Sequence, residues 1–263
     1  QAGIDENVSA AGARPLLLLV EDNADVVAYT ASCLPDYRLA VGKDGREGYE
    51  IAKEIIPDLI ITDIMMPNVD GFEMCRRLRA DEHTSHIPII MLTAKADIES
   101  KLEGLERGAD AYLEKPFHKN ELLIRIRKLL ELRKSLQAFY SKQVPGHVVH
   151  EPAAAVEIHE QEPSILASQN AFIKKLVTLV ETHIEDENFT VEKLCREIFM
   201  SHSQLHRKLD ALTGCSPVKF IRMVRMNKAT DLLKDRNRSI ASVAIDCGYV
   251  DPACGHDYPG AVD

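Results

Sequence analysis

Between residues 15 and 133 the chain alternates two periodicities five times. Short apolar runs stand at Leu16–Val20, Leu39–Val41, Leu59–Ile61, Ile89–Leu92 and Ala111–Leu113. Each is followed by a segment with apolar residues at helical spacing: Asp25–Leu34, Glu47–Ile55, Phe72–Arg79, Ile98–Arg107 and Glu121–Leu132. Runs this short and this apolar suit strands covered on both faces, and a helix between consecutive strands returns the chain for parallel pairing. The pattern predicts an α/β doubly wound, five-stranded parallel sheet. Ligands of such sheets bind beyond the carboxyl ends of the strands.

Polar residues occupy those ends. Glu21 and Asp22 follow the first run, Asp63 the third, Thr93 the fourth, and Lys115 the fifth, just before Pro116. Surface charge alone gives no reason to place them at successive strand exits. Neighbouring carboxylates repel, so they favour a hard divalent cation; Mg²⁺ takes oxygen ligands and keeps some waters. Such a metal neutralises an incoming phosphoryl group, which a carboxylate can attack as a covalent nucleophile. A lysine supplies a point charge for a phosphate oxygen, and a threonine a hydroxyl donor.

The segments LLLLVEDN, DLIITDIMMPNVDGFEMCRRLR, IPIIMLTAKAD and GADAYLEKPF resemble the receiver domains of two-component response regulators, a flavodoxin-like fold. The resemblance implies that Asp63 accepts a phosphoryl group from a histidine kinase. It implies Mg²⁺ held by Asp22, Asp63 and the Met65 carbonyl, with Glu21 acting largely through water. Thr93 and Lys115 are then the groups on the phosphoryl oxygens, and Lys115–Pro116 stands where the family uses a cis peptide. Tyr112 takes the aromatic switch position that moves with Thr93. The plainer readings are a helix-capping Asp63 and a sheet-edge Tyr112. A phosphatase with an aspartyl nucleophile needs a second acid two residues on, where this chain has Met65. The expectation is a phosphoacceptor regulator that catalyses only its own phosphoryl transfer and dephosphorylation, not an enzyme acting on other substrates.

Residues 142–166 carry Pro145, Gly146, Pro152 and Pro163 without period, so a linker is expected over 136–167, after a first domain at 14–135. From Gln169 onward the spacing is helical. Phe172, Leu176, Leu179 and Val180 mark one face, Thr190 and Ser201 are candidate caps, Gly214 is a stop, and Ser216–Pro217 opens a long helix to about Lys234. The formal net charge is −9, yet residues 200–238 hold nine Lys and Arg against three Asp and Glu. A basic stretch in an acidic chain suggests a surface that faces a polyanion. Leu194–Leu212 has the outline of a helix-turn-helix, with Ser203, Gln204, His206, Arg207 and Lys208 read as pointing outward.

FTVEKLCREIFMSHSQLHRKLDALTGCSPVKFIRMVRMNKATDLLK resembles the AraC-type DNA-binding domain, and SIASVAIDCGYVDP the opening of that family's second helix-turn-helix. The resemblance spans about 168–252. It implies base contacts by Ser203, His206 and Arg207, with Gln204 and Lys208 nearer the phosphates; the plainer reading is a solvated polar face. After Asp251–Pro252 the chain reads ACGHDYPGAVD, without Lys or Arg and with Gly255, Pro259 and Gly260 opposing a helix. The second recognition helix is therefore expected to be missing, with apolar faces exposed around Val243, Ile245 and Tyr249.

Together these features suggest a response regulator that binds promoter DNA under control of Asp63 phosphorylation, as in the C-terminal part of a hybrid sensor. The alternative is a phosphoryl-accepting module that no longer binds DNA. Phosphorylation is expected to pair two chains through the face of the fourth helix, fifth strand and fifth helix. No apolar run approaches the roughly 18 residues needed to span a bilayer. Residues 1–13 lack a basic and apolar leader, and six cysteines form no CxxC pair. A cytoplasmic setting with reduced thiols and no membrane contact is the expectation. The first residue is not Met, which suggests a piece of a longer chain.

Overall fold

The computed structural model describes residues 14–94, 108–143, 163–234 and 238–249. The chain divides into two compact units, Gln1–Arg133 and Lys134–Asp263.

Along the chain the order begins β1 (Leu16–Val20), α1 (Ala24–Cys33), β2 (Arg38–Gly42), α2 (Gly45–Ile55), β3 (Leu59–Asp63), α3 (Gly71–Ala80), β4 (Ile89–Ala94), β5 (Ala111–Lys115) and α4 (Lys119–Gln143). All pairings are parallel, in the order β2-β1-β3-β4-β5. The expected doubly wound sheet is present; the expected helix at 98–107 lies outside the described residues. Successive strand residues point to opposite faces. Leu17, Leu19, Leu59, Ile61, Ile90 and Leu92 pack with Cys33 of α1 and with Leu122 and Ile126 of α4. Leu18, Val20, Ile60, Ile89 and Met91 pack with Ala52 of α2 and with Met74, Cys75 and Leu78 of α3. These strand residues are fully buried, each contributing roughly 1.5–3 kcal/mol.

Polar caps start the covering helices. The Asn23 side chain accepts from the Asp25 and Val26 amides, Asp44 from Arg46 and Glu47, and Asp70 from Glu73. With no Gly or Pro before Pro145, α4 has nothing to stop it and runs to Gln143. It thereby continues through 136–143, which the sequence reading assigned to a linker, and the next helix already begins at Pro163.

Among its described residues the second unit has only helices as regular elements: α5 (Pro163–Thr182), α6 (Val191–Glu197), α7 (His202–Thr213), α8 (Pro217–Leu232) and α9 (Ile240–Asp246). Phe172, Leu176 and Val180 of α5 form one core with Leu194, Leu205, Leu209, Leu212, Phe220, Ile221 and Val224. Ser201 caps α7 in a full capping box with Gln204, and Gly214 ends it at φ 68°. Ser216 caps α8, whose first residue is Pro217. Thr190 takes the N-cap position of α6 without a side-chain bond to it. Val243, expected on an exposed face, is buried, whereas Ile245 is exposed. Residues 250–263, with the anomalous tail, lie outside the described residues. No helix among the described residues is long and apolar enough to cross a membrane.

Candidate functional site

The strand order reverses at β1, which has β2 on one side and β3 on the other. The crevice at this reversal opens beyond the carboxyl ends of β1 and β3. There the structure brings Glu21, Asp22 and Asp63 together, with a ligand atom from each lying within 4.8 Å of the others. Lys115, the last residue of β5, reaches across: its Nζ lies 2.7 Å from Glu21 Oε2 and 3.0 Å from Asp63 Oδ1. The Ile64 N–H also donates to Asp63 Oδ1, at 2.9 Å.

Burial raises the Glu21 pKa above the usual carboxylate value; the hydrogen bond from Lys115 opposes this, and the Asp63 charge adds to it. Among the described residues, three carboxylates thus share the crevice with one ammonium. The leftover negative charge and oxygen-only side-chain donors fit a hard divalent cation. Thr93 lies within β4, fully buried, and its hydroxyl has no hydrogen-bond partner among the described residues. Buried hydroxyls are rarely left unpaired, so this one is suited to an incoming acceptor.

Met65 lies two residues past Asp63 with its side chain exposed, so nothing about its thioether points to the site. Tyr112 is half-buried in β5 against the α2/α3 face of the core. The Lys115–Pro116 peptide is cis.

Two supports escaped the sequence reading. A Cβ on Gly71 would stand 2.1 Å from the Asp63 carbonyl oxygen, so only glycine lets α3 begin this close to the end of β3. Asn68, at φ 64°, donates to Asp44 Oδ2 at 2.8 Å and ties the loop after β3 to the cap of α2. The signal for both was the run Asn68–Gly71, rich in residues that tolerate turns.

In the second unit α6, the turn at 198–201 and α7 form a helix-turn-helix. Ser203 is exposed, and Gln204, His206 and Arg207 are half-buried along α7. The Gln204 side-chain oxygen accepts from the Ser201 amide, a capping role. Lys208 does not point outward: it is only 2% exposed, and its Nζ sits 3.7 Å from the Phe172 ring centroid. Helical spacing explains this, since Lys208 lies on the stripe of Leu205, Leu209 and Leu212. Arg225 is also withdrawn from the basic surface; it is buried and donates to the Asp186 carbonyl at 2.7 Å and the Gly248 carbonyl at 3.3 Å.

Residues 17–127 match the family described as response regulator receiver domain, and residues 194–254 match a helix-turn-helix domain. The chain carries a response regulator receiver domain. An AraC-type helix-turn-helix domain follows it. Over 237 residues, 90% of this chain, it is 32% identical to histidine kinase P4 of Formosa agariphila. It is 43% identical over 119 residues, 44% of this chain, to the DNA-binding dual master transcriptional regulator RpaA of Synechocystis. The chain spans 16% and 49% of those two relatives. Among solved structures, the receiver domain of a Pseudomonas aeruginosa sensor histidine kinase, with magnesium in its active-site cleft, is similar. It covers 45% of this chain and 99% of its own, at 32% identity and a TM-score of 0.43.

Proposed function

We propose that this chain is a transcription regulator controlled by phosphorylation of Asp63. The observation that carries the reading is the crevice in which Lys115 bridges Glu21 and Asp63 beside the buried Thr93 hydroxyl. The Ile64 N–H and Lys115 both hold Asp63 Oδ1, which makes Oδ2 the attacking oxygen. It forms the O–P bond as the N–P bond of a phosphohistidine breaks, leaving an acyl phosphate on Asp63. Lys115 then balances charge on the phosphoryl oxygens, and Thr93 donates its hydroxyl to one of them.

Asp22, Asp63 and the Met65 carbonyl would hold Mg²⁺, with Glu21 acting through water, and the metal would neutralise phosphoryl charge. Thr93 and Tyr112 move together as the switch. Ser203, His206 and Arg207 of α7 meet base edges in the major groove of promoter DNA, with Gln204 nearer the phosphates. A histidine kinase is the phosphodonor, and phosphorylation favours a homodimer in the cytoplasm.

Labelling with acetyl phosphate tests the site. Wild-type protein should take up one phosphoryl group and Asp63→Asn none; a labelled Asp63→Asn protein overturns the assignment. A phosphorylated chain that shifts no duplex would reduce the molecule to a phosphoryl-accepting module.

A further inference from the structure

The turn between α6 and α7 contains a contradiction in its own chemistry. Met200 N–H bonds to the Cys195 carbonyl at 3.1 Å, and Phe199 N–H bonds to the Arg196 carbonyl at 3.3 Å. This pair of bonds is the glycine-type helix stop, and Phe199 occupies the position where glycine is the usual residue. Its φ is +56°, a left-handed conformation disfavoured by a bulky side chain. Met200 is buried in the core on one side and Ile198 on the other, so the backbone is fixed from both flanks. Phe199 itself is 89% exposed, the most exposed of the large hydrophobic residues described. Backbone preference and solvation both oppose phenylalanine here, and the fold gains no buried ring from it. Strained positions that persist cluster at sites of contact and function.

We infer that Phe199 is an apolar contact to DNA, packing its ring on the sugar and thymine-methyl surface at the edge of the groove that α7 enters. This rests on the reading of α7 as the recognition helix. Phe199 is two residues before Ser201, the cap of α7, so their Cα atoms are at most about 7.6 Å apart. A helix whose first turns meet base edges brings such a residue to the groove wall. Apolar side chains recognise the thymine methyl in that groove. Arg196 and His202, both exposed, stand three residues before and after Phe199 in the chain and suit phosphates, while Glu192, close to both, tempers their charge.

The test uses the full chain and a duplex pool of randomised sequence enriched on the wild-type protein. Phe199→Gly should raise Tm of the helical unit by about 4 °C, because glycine fits the turn. It should also weaken binding about tenfold, whereas Phe199→Leu, which keeps an apolar side chain, should lose less. A stabilised Phe199→Gly protein that binds as tightly as wild type overturns the inference. If Arg207→Ala still weakens binding in that case, the reading of α7 survives on its own. Wild-type protein that enriches no duplex overturns both.

Discussion

A polar letter on an apolar stripe can be read two ways, and Lys208 shows which one prevails. It is buried on the same helical stripe as Leu205 and Leu212, and its ammonium meets the face of Phe172 on α5. A cation over an aromatic face recovers part of the lost hydration, which permits the burial. Arg225 follows the same rule: it lies four residues past the buried Ile221 and spends its guanidinium on two backbone carbonyls. Both belong to the basic stretch over 200–238, and Lys208 was expected to point outward, yet both are buried. If Lys208 is internal, Lys208→Met should leave the slope of log affinity against log salt for DNA unchanged. Loss of a phosphate contact would flatten that slope by about 0.9. A flattened slope in a folded Lys208→Met protein would return Lys208 to the DNA surface.

Between elements, the strands and caps were legible because each rests on local chemistry. Five apolar runs became five strands, and Ser201, Gly214 and Ser216–Pro217 took the positions their types favour. Helix α4 runs on through 136–143, within the expected linker, because no breaker stands between its start and Pro145. The carboxylate crevice was legible as a list of strand ends, but the Lys115 bridge depends on order across the sheet, which no local pattern carries. The same holds for the join between α2 and α3. Asp81, at the end of α3, accepts from the Tyr49 hydroxyl at 2.7 Å, the His83 amide at 2.9 Å and the His83 ring at 2.8 Å, with Lys53 at 3.3 Å. Burial pushes its pKa up, but these donors outweigh burial and hold it well below the usual carboxylate range. A depressed folded pKa adds stability that is present above the unfolded value of about 3.9 and lost as pH falls below it. Asp81→Asn should therefore cost roughly 1.5–3 kcal/mol near pH 7, and the gap from wild type should close below about pH 3.9. Calorimetric melts of both proteins across that range check this; a gap that stays constant in acid would mean that the charge on Asp81 contributes nothing.

At the scale of the molecule, the proposal couples a phosphoryl site in one unit to a DNA surface in the other, and thermodynamics restricts how such coupling can look. A ligand shifts an equilibrium only through its different affinity for the two states. If occupancy at Asp63 raises DNA affinity by some factor, DNA must raise affinity at Asp63 by the same factor. Beryllofluoride, an analogue of the phosphoryl group, makes both sides measurable without turnover. With saturating beryllofluoride and magnesium, DNA affinity at fixed salt should rise roughly 5–150-fold. The beryllofluoride titration should shift by that same factor when DNA is saturating. Pairing of two chains on DNA would steepen the DNA curve but leave this equality intact once expressed as free energy per assembly. Equal nonzero shifts establish a coupled regulator. No shift in either direction means two units that share a polypeptide and nothing else. In that case Asp63 phosphorylation, even if chemically complete, would have no route to transcription within this chain.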